Sequence, residues 1–278
     1  MNHQVKNIIK YFLFSVFGII MVYPLLWLSS ASFKPNEEFF TSLNLIPSRF
    51  VLDSYVKGWQ GIGQFTFSLF FFNTFKLVIP TVAFTVLSST IVAYGFARFK
   101  FPMKKILFTL MLSTLMLPNA VVIIPKYMLF KNFDWLDSYL PITIPALFGC
   151  YPFFIFMLVQ FFKGIPLDLD EAATIDGCNS FGILIKILIP LCIPAIISAA
   201  IFQFIWTWGD FFNVFVFVNS ISKYTVPLAL NMAVDNMSSI NWNQLAAVSF
   251  LSILPPLLVF FFAQKYFIEG VTTTGMKT

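Results

Sequence analysis

The sequence predicts an all-α polytopic membrane protein with six transmembrane helices. Charged residues make up only 10% of its 278 residues, against roughly 25% in soluble domains. Hydrophobic residues reach 59% and the mean hydropathy is +0.85, more apolar surface than an aqueous fold can hide. Six apolar stretches approach or exceed the ~20 residues that a helix needs to cross the hydrocarbon core. The 38 phenylalanines suit lipid-facing helices and interfacial belts better than the alternating pattern of a β-barrel.

A tail at residues 1–10 leads into the first span at about 11–31. Lys6, Lys10 and the run Ser29–Ser30–Ala31–Ser32 imitate a signal peptide and its cleavage site, but the apolar run is longer than the ~7–15 residues of such a segment, so a retained anchor is expected. The further spans fall at 69–97, 106–125, 139–162, 191–218 and 246–267, which gives a transmembrane domain over 11–267 and a tail at 268–278. Pro80, Pro118, Pro145, Pro152, Pro194 and Pro255–Pro256 lie within these runs; each removes a backbone donor and implies a kink. Arg98, Lys100, Lys104 and Lys105 crowd the turn between spans two and three, which orients that turn to the cytoplasm. Both termini then lie inside a multi-pass chain of the cell (cytoplasmic) membrane, in agreement with Lys6, Lys10, Lys265 and Lys277, while the loops around 33–68, 126–138 and 219–245 face out.

Several chemistries are excluded or disfavoured. The net charge of +5 comes from Lys and Arg scattered in short clusters, which argues for membrane orientation and against a nucleic-acid partner. Cys150, Cys178, Cys192 and the lone His3 lack the spacing of a metal site or disulfide framework. No GxxxxGK[ST], HExxH or GxSxG run occurs, so no enzymatic activity is expected and ATP must be handled elsewhere. The rival reading is an ion-coupled secondary carrier of a small polar solute, which calls for acids or His in mid-membrane and an inverted repeat. Asp210 is the one acid within a predicted span. It lies about 19 residues beyond Leu191, or roughly 28 Å at 1.5 Å per residue, near the outer boundary. Trp206, Trp208 and Asn213 beside it carry the aromatic faces and amides that suit sugar rings and hydroxyls; the alternative is an interfacial aromatic belt. Lys76 is expected to snorkel from the outer start of span two.

The most informative stretch is cytoplasmic, residues 163–190. Pro166 marks the entry, Asp168 and Glu171 have the form of a capping box, and Gly177 is a natural stop, so a short helix is expected over about 169–176. A second helix starts at Asn179 or Ser180 and runs to the membrane. Two short helices meeting at a glycine, with small Ala172 and Ala173, make a knob fit for a groove in another protein; the alternative is a helical hairpin lying on the membrane surface.

Glu171–Ala172–Ala173, Asp176–Gly177, Ile187 and Pro190 together resemble the EAA loop of binding-protein-dependent ABC permeases. The resemblance covers most of the chain and narrows to the MalG-like, carbohydrate-uptake branch through Ile46–Pro47, Asn73–Thr74, Ala93–Tyr94–Gly95–Phe96–Ala97–Arg98 and the run from Trp206 to Asn213. It departs at Ile189, where Leu is usual, and at Gly209, where many relatives have Asn. It implies a type I ABC importer permease fold (MetI-like), with Glu171, Ala172, Ala173, Asp176, Gly177 and Pro190 coupling to an ATPase. It also implies a tail carrying Glu269, Gly270, Thr272, Gly275 and Lys277 toward the ATPase, and a translocation path that draws on Asn73, Trp206, Trp208, Asp210 and Asn213. Lys223, Tyr224 and Trp242 are candidates for contact with a binding protein. The expected partners are a second homologous permease, two ATPase subunits that hold ATP and Mg, an extracytoplasmic sugar-binding protein and the lipid bilayer.

Overall fold

The computed structural model describes residues 3–42, 44–61, 63–235 and 241–275, which form helices joined by turns. In chain order they are α1 (His3–Ala31), α2 (Asp53–Trp59), α3 (Phe67–Arg98), α4 (Lys104–Ser113), α5 (Asn119–Asn132), α6 (Leu140–Leu147), α7 (Pro152–Gly164), α8 (Asp168–Ile175), α9 (Ser180–Leu191), α10 (Ile193–Trp208), α11 (Phe211–Phe217), α12 (Val226–Asp235) and α13 (Trp242–Gly275). Four stretches are long and apolar enough to cross a membrane: Asn7–Ala31, Phe67–Arg98, Leu140–Gly164 and Trp242–Tyr266. Among the described residues, counting each of two bent pairs as one span raises the number to six: Lys104–Met116 with Asn119–Asn132, at 104°, and Ser180–Leu191 with Ile193–Trp208, at 78°.

Those bends fall within the spans expected at 106–125 and 191–218, where Pro118 and Pro194 imply kinks. Pro118 forces Leu117 into an extended conformation (φ −78°, ψ 120°) and the helix restarts at Asn119. The fifth stretch begins at Ser180, loosens into a π-helical turn at Leu184–Leu188 and bends at Cys192, with Pro190 and Pro194 on either side. It breaks once more at Gly209–Asp210 before α11. By contrast α3 runs through Pro80 without interruption.

The chain divides into two compact units, residues 1–71 with 229–255 and residues 72–228 with 256–278. In the first, most of α1 exposes apolar side chains, among them Phe12, Phe17 and Ile20, as a lipid-bathed helix requires. Beyond it the loop folds on a small core of Ala31, Phe39 and Ala246, flanked by Trp27 and Trp242. Lys34 is fully buried and its Nζ donates to the Ser42 carbonyl at 2.9 Å. Gly58 sits so close to the start of α13 that a Cβ there would lie 2.9 Å from the Gln244 carbonyl oxygen.

The second unit has two apolar clusters. One joins the C-terminal end of α3 (Ala93, Tyr94) to α7 (Leu158, Phe162), α8 (Ala173) and α9 (Ile183, Leu188). The other joins Leu77, Ile123, Phe130, Ile142 and Phe217. Between them α3 buries the hydroxyls of Thr81, Thr85, Ser88 and Ser89; Ser88 donates to the Ala146 carbonyl at 2.6 Å. Small polar side chains of this kind let helix backbones approach closely within a membrane.

Candidate functional site

Residues 163–190 form the expected helix pair, with different caps. Ile165 is extended ahead of Pro166, as a residue before proline tends to be, and α8 begins at Asp168. No capping box forms: Leu167 occupies the N-cap in a helical conformation and makes no side-chain cap bond. Asp168 is thus already the first helical residue, where its charge still suits the N-terminal dipole. The end is closed by a Schellman motif, in which Cys178 N–H donates to Ala173 O at 2.9 Å and Gly177 N–H to Thr174 O at 3.0 Å. Gly177 has φ +82° and open space where a Cβ would be, so the backbone angle and not crowding requires glycine. The side-chain cap in this segment belongs to Asn179, whose Oδ1 accepts from Gly182 N–H at 2.8 Å and opens α9.

Within α8 the two alanines separate. Ala173 is buried in the apolar cluster, whereas Ala172 is exposed beside Glu171, Asp176 and Gly177. Leu169 is 43% exposed, Ile175 86% and Phe181 67%, so the exposed surface offers apolar side chains among the acids Asp168, Glu171 and Asp176. Pro190 is exposed as well, further along α9.

The inward face is clamped to the C-terminal end of α3. Arg98 Nε lies 2.7 Å from Asp170 Oδ2, with the two side chains 6% and 17% exposed, and Arg98 Nη2 donates to Ile165 O at 3.1 Å. The close approach is an ion pair by distance; the Nε–H is not aimed along a hydrogen bond, and Asp170 Oδ1 has no partner among the described residues. One turn earlier, Tyr94 Oη donates to Ser180 O at 2.8 Å. Tyr94 and Arg98, four residues apart, share a helix face and between them hold the approach to α8, α8 itself and the start of α9. Sequence reasoning missed Asp170; its signal was an arginine that ends a long apolar helix and needs a counter-charge.

A cavity of about 910 Å³ opens in the same unit. Two helix breaks line it, at Leu117 between α4 and α5 and at Gly149–Cys150–Tyr151 between α6 and α7, and Trp206 and Asn213 line it from either side of a third, between α10 and α11. Irregular backbone at membrane depth is tolerated where it lines a cavity or is buried in protein. Polar groups reach it from Thr114, Asn119, Lys126, Tyr151 and Asn213, and Trp206 supplies an aromatic wall, steadied by Phe153 and Phe154 with ring centroids at 5.3 and 5.1 Å.

Of the expected path residues, Trp206 and Asn213 line this cavity, and Asn73, Trp208 and Asp210 do not. Trp208 is buried against Phe75 and Phe204. Asp210 caps α11: its carboxylate accepts from Asn213 N–H at 3.0 Å and from Asn213 Nδ2 at 2.8 Å. Asn73 is 6% exposed and donates to Ser222 O and Tyr224 O at 2.9 and 3.0 Å. Gly209 has an ordinary φ of −86°, and a Cβ there would stand 3.5 Å from Ile205 O, so the backbone accommodates the asparagine of other sequences. Lys126, placed in a loop by the hydropathy pattern, is a cavity residue because the chain turns at Pro118.

The segment near 219–226 is ordered by Asp137. Its Oδ1 accepts from Asn219 N–H and Ser220 N–H at 3.0 and 2.8 Å, and its Oδ2 lies 2.7 Å from both Ser220 Oγ and Lys223 Nζ. The Lys223 and Ser220 bonds hold this carboxyl well below the usual range. Tyr139 Oη donates to Lys223 O at 2.7 Å. Lys223 is thus a paired residue, and Tyr224 packs beside the second apolar cluster. Trp242 belongs to the other unit, where it packs on Phe39 and Phe40. Of the tail residues, Lys277 lies outside the described residues, and Glu269, Gly270, Thr272 and Gly275 fall on α13 with side chains outside them.

Comparison with known proteins agrees with this picture. Residues 86–273 match the family described as binding-protein-dependent transport system inner membrane component. A probable ABC transporter permease protein of Bacillus subtilis, YurM, is 31% identical over 96% of this chain and 87% of its own length. The arabinooligosaccharides transport system permease protein AraQ of the same organism is 31% identical over 95% of this chain and 93% of its own. A chain from the crystal structure of a bacterial ABC transporter involved in the import of the acidic polysaccharide alginate superposes with a TM-score of 0.79. It covers 95% of this chain and 97% of that one at 23% identity, and so shares the fold.

Proposed function

The chain belongs to the family of binding-protein-dependent transport system inner membrane components, the permease subunits of ABC transporters, and from that premise we propose that it forms half of the pathway of an ATP-driven importer for an oligosaccharide. A second, homologous permease completes the pathway. Two cytoplasmic ATPase subunits carry ATP and Mg, and an extracytoplasmic binding protein delivers the sugar. The orientation that goes with this places both termini and α8 in the cytoplasm.

The observation that carries the proposal is the two-faced character of α8. Its exposed residues, Asp168, Leu169, Glu171, Ala172, Ile175 and Asp176, set apolar side chains among three acids, which suits a groove in an ATPase subunit. Its inward face is fastened to α3 through Asp170 and Arg98. A groove that moves as the ATPases close on ATP would therefore drag α3 with α8, and switching between inward- and outward-facing states would follow as a nearly rigid-body motion. The tail from Glu269 onward extends α13 toward the same ATPases.

The cavity supplies surface of the right chemistry for a sugar. Trp206 offers a ring face, and Thr114, Asn119, Tyr151 and Asn213 offer hydroxyls and amides, the usual complement to an apolar pocket with a few placed polar groups. The oligosaccharide class rests on the likeness to AraQ, an arabinooligosaccharides transport system permease protein.

The test is uptake of labelled arabino-, galacto- and malto-oligosaccharides into vesicles carrying this chain with its neighbouring permease, ATPase and binding protein. ATP-dependent uptake of one of them, lost in Glu171→Lys while the complex still assembles and hydrolyses ATP, is the expected result. Uptake that persists unchanged in Glu171→Lys would end the coupling role of α8. Uptake driven by an ion gradient without ATP would overturn the importer reading.

A further inference from the structure

Both ends of α3 are tied to segments that face opposite sides of the membrane. At the inner end Arg98 holds residues 165 and 170, and Tyr94 holds residue 180. At the outer end Asn73 Nδ2 donates to Ser222 O and Tyr224 O, and Thr74 Oγ1 accepts from Val226 N–H at 2.9 Å. Asn73, Thr74, Tyr94 and the Arg98 side chain are all buried, so water does not readily exchange for these bonds. The helix between the two sets of ties is unbroken. Some 25 residues at 1.5 Å make about 38 Å, longer than the ~30 Å hydrocarbon core. Leu77, Val78, Thr81 and Thr85 in between are fully buried, which leaves the helix little freedom to slip past its neighbours.

We propose that α3 is a strut that conveys engagement of the outer segment 219–226 to the coupling segment 163–180, with Asn73 and Thr74 as positioning residues at one end and Tyr94 and Arg98 at the other. The strut rests on the importer reading. It goes beyond that reading by giving the path through which a loaded binding protein outside raises ATP turnover inside, and by linkage the path through which ATP acts on the outer segment. The half-satisfied Asp170, whose Oδ1 has no partner among the described residues, fits a clamp with a second arrangement: a buried polar atom left unpaired in one state favours a shift that pairs it.

A merely structural role for the two sets of ties predicts independent effects, because substitutions this far apart normally add. A strut predicts that cutting either end is enough. The experiment is a double-mutant cycle on the reconstituted complex, reading the ratio of ATPase activity with and without binding protein loaded with the oligosaccharide that the uptake panel identifies. Asn73→Ala and Arg98→Lys should each lower the stimulation about fivefold or more, and the double variant should fall no lower than the weaker single. If either fails to assemble, Thr74→Val and Tyr94→Phe, each deleting one tie at almost constant volume, are read by the same criteria. A double variant whose loss equals the product of the singles, or an outer-end variant that keeps wild-type stimulation, overturns the strut. If no sugar of the panel is taken up with ATP, the importer reading itself fails, whereas coupled wild-type uptake with multiplicative losses removes the strut alone.

Discussion

Gly177→Ala isolates backbone strain from every other effect at the end of α8. At φ +82° the residue is left-handed, a conformation that costs an L-residue roughly 1–2 kcal/mol, and because a Cβ would meet nothing within 4 Å no steric term adds to it. The substitution should therefore weaken the Schellman closure by that amount, which corresponds to a ~5–30-fold rise in local opening. Hydrogen exchange at the Gly177 and Cys178 amides, the two donors of the motif, reads this directly. Gly177→Asn should lose much less, since Asn tolerates the left-handed region, and Gly177→Val should lose more than the alanine variant. If Asn proves as disruptive as Ala, or if Ala leaves exchange unchanged, the backbone angle is not what demands glycine. Transport coupling measured on the same variants should follow the exchange ranking.

Three further outcomes are expected. Because hydrogen bonds lower the Asp137 carboxyl below its ordinary value of 3.8, the stabilisation it gives is fully present above that pH and is lost as pH falls through the lowered folded value; exchange protection of Asn219 and Ser220 should stay flat from pH 7 to about 4, and a drop near pH 6 would contradict the bonding pattern. Asp210→Asn should be tolerated, because asparagine caps a helix as well as aspartate, whereas Asp210→Ala should cost ~1 kcal/mol in thermal stability; a transport rate that becomes insensitive to pH in the Asn variant would instead point to ion coupling. Gly58→Ala should destabilise the complex by roughly 1–3 kcal/mol, since its Cβ meets a backbone oxygen at 2.9 Å that cannot rotate away, and an unchanged melting temperature would show that α13 yields there.

The helix pair at residues 163–190 was legible because its signals are local. Pro166 bars the preceding residue from helix, Gly177 supplies the left-handed turn, and Asn179 caps α9, so the helix expected over 169–176 differs from Asp168–Ile175 by one residue at each end. The capping box failed for an equally local reason: Leu167 already has helical angles, so Asp168 is too far into the helix to accept from the free N–H groups. Trp206 and Asn213, expected on a translocation path, line the cavity. Asn73 and Trp208 do not, because a polar or amphipathic side chain near a span end can turn to a neighbouring backbone as well as to a pathway, and composition does not distinguish these fates.

Hydropathy and charge alone determined the membrane class and the set of six apolar stretches, and local signals the place of α8, since each depends on residues within one or two turns of each other. What the tertiary structure decided is longer in range. A proline permits a bend, but only packing set it at 104° in one stretch and let α3 pass through Pro80 unbroken. Arg98 finds Asp170 across 72 positions of chain and Asn73 finds Ser222 across 149. Such partners follow from which helix faces meet, a property of the assembled bundle and of no single segment.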